Sequence, residues 1–469
     1  MASLLYRKPV SLEALPDHLR LKATLSWWHL IPLGVGAIVG TGIYTLIGVG
    51  AHLAGPAVIL SFLIAGAVCA CAALAYAEVA TMIPASGSAY TYSYVVLGEI
   101  IAWAVGWSLV LEYSLVVSTV AVGWSGYAVG FLGAAGVHLP AALTTGLYAG
   151  GLVNLPAIFI IGVVAALLML GARESANVNA VLVLVKIVAL GVFLAVAAPH
   201  FNPANFHPFM PHGFAGYQGA GGVRFGVMAA ASIIFFAFYG FDALSTAAEE
   251  TKRPGRDLPI GIVGSMAACA LIYVAVAAAA VGAMPYARFA GSPEPLAAIL
   301  RGIGAGRVAF AVGAAAVIAL PTVILAFLYG QSRIFFVMAR DGLLPAALAK
   351  VSPRSGSPVR MTLVTAVAVA ALAGVAPLDQ IAALANAGTL AAFIAVSVCL
   401  LVLRRREPDA PRVYRTPLAW IVGPAAILGC LYLFANLQLK TQLFFAAWNA
   451  LGLGCYFVWR AGRPAPESA

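Results

Sequence analysis

Gly36-Ala37-Ile38-Val39-Gly40-Thr41-Gly42 lies inside an apolar run, residues 27–50, long enough to cross a bilayer. Glycine costs about 1 kcal/mol against alanine inside a helix. The glycines at 36, 40 and 42 therefore predict a backbone that is not an ordinary helix. In a membrane such a break survives only where it is buried in protein or lines a cavity. It exposes amide N–H groups at one half-helix end and carbonyls at the other. That pair suits a zwitterion, with amides facing a carboxylate and carbonyls facing an ammonium. The stretch points to a small-molecule transporter built around the break.

The rest of the chain agrees with a membrane setting. Of 469 residues, 63% are hydrophobic and only 9% charged, where a soluble domain carries roughly 25% charged residues. Too little polar surface exists to solvate a globule. We therefore expect an all-α polytopic membrane protein. At about 20 residues per crossing the chain holds roughly twelve transmembrane helices. They are read at 27–50, 57–82, 97–131, 153–171, 177–199, 223–247, 260–283, 305–338, 361–376, 380–403, 417–437 and 441–461. The net charge of +10 then reflects basic residues on the cytoplasmic side, with no nucleic acid implied. Cys69, Cys71, Cys269, Cys399, Cys430 and Cys455 sit in apolar runs and read as small core residues, without disulfides, metal or cofactor. The first span has no cleavage site and reads as a start-transfer helix behind a polar segment with Arg7, Lys8, Arg20 and Lys22.

With both termini placed in the cytoplasm, twenty of the 26 basic residues fall on the inner side. Five (Arg224, Arg288, Arg301, Arg307, Lys440) fall outside, and Lys186 falls within a span. That asymmetry supports the orientation. Shifting the chain by about 200 residues tests for a repeat. Gly40 of span 1 meets Gly240 of span 6, Met82-Ile83-Pro84 meets Ala283-Met284-Pro285, and span 5 with Lys186 meets span 10 near Asn386. Five spans per copy invert the second copy, giving a 5+5 inverted repeat with broken helices 1 and 6 and two extra C-terminal helices. The expected segments are 1–26 (cytoplasmic), 27–199 (first repeat), 200–222 (external loop) and 223–403 (second repeat). They continue as 404–416 (basic cytoplasmic loop), 417–461 (helices 11 and 12) and 462–469 (cytoplasmic tail). The stretch 84–94, rich in Ser and Tyr, reads as a short helix lying on the inner face.

Interrupted helices in corresponding positions mark the site in such transporters. The amides of Thr41, Gly42 and Ile43, with the Thr41 hydroxyl, are candidates for a substrate carboxylate, and Gly40 opens the break. Carbonyls near Phe236 and Tyr239 are candidates for an ammonium. Phe235, Phe236, Phe238, Tyr239 and Phe241 form either a lid or an ordinary packing face. Lys186 sits about nine residues into span 5, roughly 14 Å deep. A lysine there costs about 2.5–3.5 kcal/mol on insertion and is a functional candidate by default. Burial favours the neutral amine, so Lys186 can carry a coupled proton. Charged, it can stand between free carbonyls where a sodium ion would otherwise bind. The bland reading is a fixed cation paired with a buried acid. Glu112 and Asp242 are the mid-span acids; each can partner Lys186, contact a cationic substrate or hydrogen-bond backbone at a break. Glu78 reads as a loop anchor. Glu249, Glu250, Lys252, Arg253, Arg256 and Asp257 read as a solvated cluster or a cytoplasmic latch. No Gly-x-Ser-x-Gly, His-Glu-x-x-His or phosphate-binding loop occurs, so an enzyme is not expected.

The glycine stretch with Ile43-Tyr44 resembles span 1 of the amino acid–polyamine–organocation superfamily. Tyr239-Gly240-Phe241-Asp242, Ile83-Pro84-Ala85-Ser86-Gly87, Tyr329-Gly330-Gln331-Ser332-Arg333 and Arg340-Asp341-Gly342 resemble its cationic amino acid transporter branch, in a bacterial, twelve-span form. The resemblance implies alternating access and carboxylate binding at Thr41 and Gly42. It also implies ammonium binding by carbonyls of Ile38, Phe236 and Tyr239, and a proton-coupling lysine at Lys186. The expected protein is a proton-coupled L-amino-acid importer of the bacterial inner membrane, favouring small neutral substrates. Its partners are the amino acid, protons and the lipid bilayer; an accessory subunit is left open. The alternatives are an arginine or lysine transporter, an exchanger, and a membrane sensor that binds without transporting.

Overall fold

The computed structural model describes residues 23–170, 172–219, 223–292, 294–352, 355, 357–375 and 378–461. The first 22 residues, the tip of the 200–222 loop and the 462–469 tail lie outside the described residues, as do Arg354 and Arg463. The chain is a bundle of helices. The first run is broken into α1 (Trp27–Ile38), α2 (Thr41–Tyr44) and α3 (Leu46–Ala54), followed by α4 (Val58–Met82), α5 (Ser88–Val96) and α6 (Glu99–Ala134). After the single turn α7 (Ala141–Thr144) come α8 (Leu155–Leu170) and α9 (Ala172–Ala197). A second broken run consists of α10 (Val227–Ile234), a 3-10 turn at Phe235–Ala237 and α11 (Phe241–Ser245). Then follow α12 (Pro254–Ala283), α13 (Pro295–Gly302), α14 (Gly306–Ala319), α15 (Pro321–Arg340), α16 (Val359–Val375), α17 (Leu378–Arg406), α18 (Ala419–Asn436) and α19 (Leu439–Ala461). Among the described residues, eight helical stretches are long and apolar enough to cross a membrane, and α8 and α16 are shorter apolar helices.

The broken helices are held at the centre. α12 packs on α4 and α1, α15 and α17 pack on α6, and α9 backs onto α1. The packing is made by small residues and aromatic edges: Phe238 and Phe62 each stand edge-on to Tyr273. α19 is pinned to α6 by a reciprocal pair in which the Trp107 indole donates to Trp448 O at 2.9 Å and the Trp448 indole to Trp107 O at 3.0 Å.

Several readings change. The 84–94 stretch does form a helix from Ser88, but it does not lie on a face. Every residue of α5 except Val95 is buried, because it is tucked against α6 and α17. The 200–222 loop carries 3-10 turns and a two-residue strand β1 (Tyr217–Gln218) paired antiparallel with β2 (Arg224–Phe225). Cys455 is exposed and Cys71 half-buried, whereas the other four cysteines are core residues as read; all six are free. Glu249 and Glu250 are not solvated. Glu250 is 1% exposed and bonds the Arg333 guanidinium and the Tyr329 hydroxyl. Glu249 takes two bonds from Arg340, at 2.9 and 3.1 Å. These arginines lie 83 and 91 residues downstream, beyond the reach of local pattern reading. Glu78 anchors the 404–416 loop, accepting from Arg404, Arg412 and the Thr416 amide.

Candidate functional site

The first break begins where α1 ends. Val39 (φ −74°, ψ 102°) and Gly40 (φ −159°, ψ −140°) leave helical geometry, and α2 restarts at Thr41. The second lies between Ala237 and Phe241, with Gly240 at φ +123°, a conformation open to glycine alone without strain. A Cβ on Gly240 would stand 2.9 Å from the carbonyl carbon of Ala37, and one on Gly42 would overlap the backbone of Ala237. The two breaks thus touch backbone to backbone, and side chains at these glycines would push them apart.

Ile38, Gly40, Thr41, Gly42, Phe236 and Tyr239 line one cavity, closed by Ala37, Val116, Val323 and Phe327. Its volume is ≈ 10 Å³, about the room of one water molecule. Among the described residues the amides of Thr41 and Gly42 have no backbone acceptor, and the carbonyls of Phe236 and Tyr239 have no donor. The Thr41 hydroxyl is buried and unpartnered. Two expected groups are already engaged. The Ile43 amide donates to Gly40 O at 3.2 Å, and Ile38 O accepts from the Tyr273 hydroxyl at 2.5 Å. The aromatic run splits. Phe236 and Tyr239 line the cavity, whereas Phe235 and Phe241 pack on Phe393 of α17 and Phe238 on Phe62.

Lys186 stands behind the first break, fully buried on α9. Its ammonium donates to Gly36 O at 3.0 Å and to Val39 O. Its partners are the carbonyls that the end of α1 leaves free, and no acid is among them. Asp242 takes the third of its readings: Oδ1 accepts from the Gly240 amide at 3.0 Å and Oδ2 from the Tyr113 hydroxyl at 2.6 Å. It thereby satisfies the amide of Gly240, the residue before the restarting half-helix α11. Glu112 is buried against Gly388 of α17; among the described residues both its carboxyl oxygens are without a hydrogen-bond partner, and it does not line the cavity.

Sequence reading missed Tyr273, Thr322 and the wall residues Val116, Val323 and Phe327. Thr322 Oγ1 reaches Gly36 O at 3.2 Å and sits just after Pro321, where α15 begins. A polar residue beside a proline in an apolar run was the available signal for it; the apolar wall carried none.

The family model described as amino acid permease matches residues 25–458. The chain is 46% identical over 443 residues to the branched-chain amino acid permease BcaP of Bacillus subtilis, covering 94% of this chain and 93% of that one. It is 42% identical over 463 residues to the methylthioribose transporter of the same organism, covering 98% of each. It is 38% identical over 403 residues to the vacuolar cationic amino acid transporter 4 of Arabidopsis thaliana, covering 83% of this chain and 64% of that one. These relatives are permeases and transporters, not enzymes. With a match over nearly its whole length and two facing helix breaks at its centre, this chain belongs to the amino acid permease family.

Proposed function

We propose that the protein is a proton-coupled importer of L-amino acids, favouring small neutral side chains and working by alternating access. Membership of the amino acid permease family supports amino acid transport. One observation carries the coupling: the Lys186 ammonium holds Gly36 O and Val39 O at the break. A proton leaving this amine would remove the charge that strengthens both bonds and so weaken the hold of α9 on α1. The substrate carboxylate takes the amides of Thr41 and Gly42 with the Thr41 hydroxyl, and the ammonium takes carbonyls of Phe236 and Tyr239. Ile38 O contributes only if it shares or gives up its bond to Tyr273. The apolar wall of Val116, Val323 and Phe327, with the Asp242 carboxylate already engaged, favours a neutral side chain over arginine or lysine.

The scaffold is read as twelve spans, with 27–199 and 223–403 as inverted five-helix repeats, helices 11 and 12 appended, and both termini in the cytoplasm. The relationship to a methylthioribose transporter favours a second reading, in which a thioether sugar is carried.

The test is uptake of labelled alanine and leucine into proteoliposomes, with arginine and methylthioribose as competitors. An inward pH gradient is expected to raise uptake severalfold. Lys186→Ala is expected to lose that response while still exchanging substrate at equal pH, which shows that it is folded. Uptake indifferent to the gradient overturns proton coupling. A gradient response that survives in the variant overturns the role of Lys186. Binding without flux indicates a sensor.

A further inference from the structure

Lys186 has a counterpart 200 positions on. Asn386 lies on α17, and its side-chain amide donates to Ser232 O at 2.8 Å and Ile233 O at 3.4 Å. Those carbonyls belong to the C-terminal end of α10, as Gly36 O belongs to the C-terminal end of α1. In each proposed repeat, then, the fifth helix sends one side-chain donor to carbonyls in the last turn of the first half-helix; at α10 one of them, Ile233 O, also accepts from the Phe235 amide. The chemistry of the two donors differs: one is an ammonium, the other an amide that does not titrate.

The surroundings differ too. The end of α1 is held redundantly, since Thr322 also bonds Gly36 O and Tyr273 bonds Ile38 O. At the end of α10, Asn386 is the one side-chain donor from another helix among the described residues. Its own Oδ1 is buried and finds no partner among the described residues. Ser232 and Ile233 line a cavity of ≈ 600 Å³ that reaches the surface beside Arg224 and Lys440. Phe236, one turn further along, lines the central ≈ 10 Å³ cavity. Leu115 and Val116, adjacent on α6, also divide between the two. The turn that Asn386 holds is therefore the floor of the large cavity and the roof of the small one.

We propose that Asn386 is a positioning residue, a releasable and pH-indifferent clasp that keeps α10 closed over the central cavity on the side opposite Lys186. This rests on the transport reading and the repeat, and the experiment separates them. The six native cysteines except Cys269 are replaced by alanine, and a single cysteine is placed at Ala229. That position is 3% exposed and lines the large cavity on α10. Labelling by a hydrophilic maleimide is followed in detergent, where neither flux nor orientation matters. Cys269, fully buried on α12, reports unfolding if it labels too.

Asn386→Leu removes the donor at similar volume, and Asn386→Asp replaces it with an acceptor at the same shape. Both are expected to raise labelling at position 229 about tenfold with Cys269 still protected, and Asn386→Gln, which keeps the amide, to stay nearer the parent. Parental labelling rates in the Leu and Asp variants overturn the proposal. So does a Gln variant as reactive as Leu, which would mark a purely steric role. Failure of uptake with an intact labelling response would instead count against the transport reading alone.

Discussion

The two ends of the bundle are closed by different chemistry. Around Trp27 the chain is tied by buried charge. Glu250 meets Arg333, with side chains 2% and 1% exposed, and Glu249 meets Arg340 at 2.9 Å. Backbone adds to this: Leu25 N donates to Glu250 O at 2.8 Å and Lys252 N to Leu25 O at 2.8 Å, strapping the entry of α1 to the segment after α11. At the opposite end Arg224 bonds a single carbonyl, Ala435 O, at 3.0 Å. The ion pair described there, Arg301–Glu294, has its guanidinium side chain 50% exposed. That end contains the ≈ 600 Å³ cavity. The difference teaches which end this structure seals: charge pairs taken out of water lock one side, while a lone arginine–carbonyl bond and a half-exposed ion pair leave the other less tightly tied.

The comparison can be broken by substitution. The largest effect is expected for Glu250→Gln, which strands Arg333 in a buried site. Removing one partner of a buried pair costs about 3–5 kcal/mol, so a drop in melting temperature in detergent of several degrees or more is expected. A melting temperature like the parent's would show that the seal is not electrostatic. Gly240→Ala, at the pivot between the two ends, is next. Left-handed strain costs about 1–3 kcal/mol, and the added methyl presses on Ala37, so uptake should fall at least tenfold with a smaller loss of stability. Unchanged uptake would mean that the breaks need not touch. Arg224→Gln should be the mildest, within about 0.5 kcal/mol as for an ordinary surface change. A destabilisation as large as that of Glu250→Gln would erase the contrast between the ends.

What the sequence made legible follows the range of each interaction. The break at Gly40 was readable because three glycines spell it within a few residues. The break at Gly240 was less so, as one glycine carries it and only comparison with the first half draws attention to it. Lys186 stood out as a cation in an apolar run, yet its carbonyl partners lie 147 and 150 residues away. The burial of α5 was hidden because tyrosine and serine suit an interface as well as a polar core. For Glu249 and Glu250 the solvated reading fails and the pairing could not be seen, because their arginines lie 91 and 83 residues away. The cavity wall, made of Val116, Val323 and Phe327, left no trace beyond ordinary apolar residues.

The central cavity holds about one water, and an amino acid is several times larger. On the proposed reading the ligand meets a binding-competent form only in that fraction of molecules whose roof has parted. The observed dissociation constant is then the intrinsic one divided by that fraction. Affinity becomes a property of populations as much as of contacts. A residue that never touches the ligand, by shifting the resting mixture, can tighten or weaken binding without altering a single group that the ligand meets.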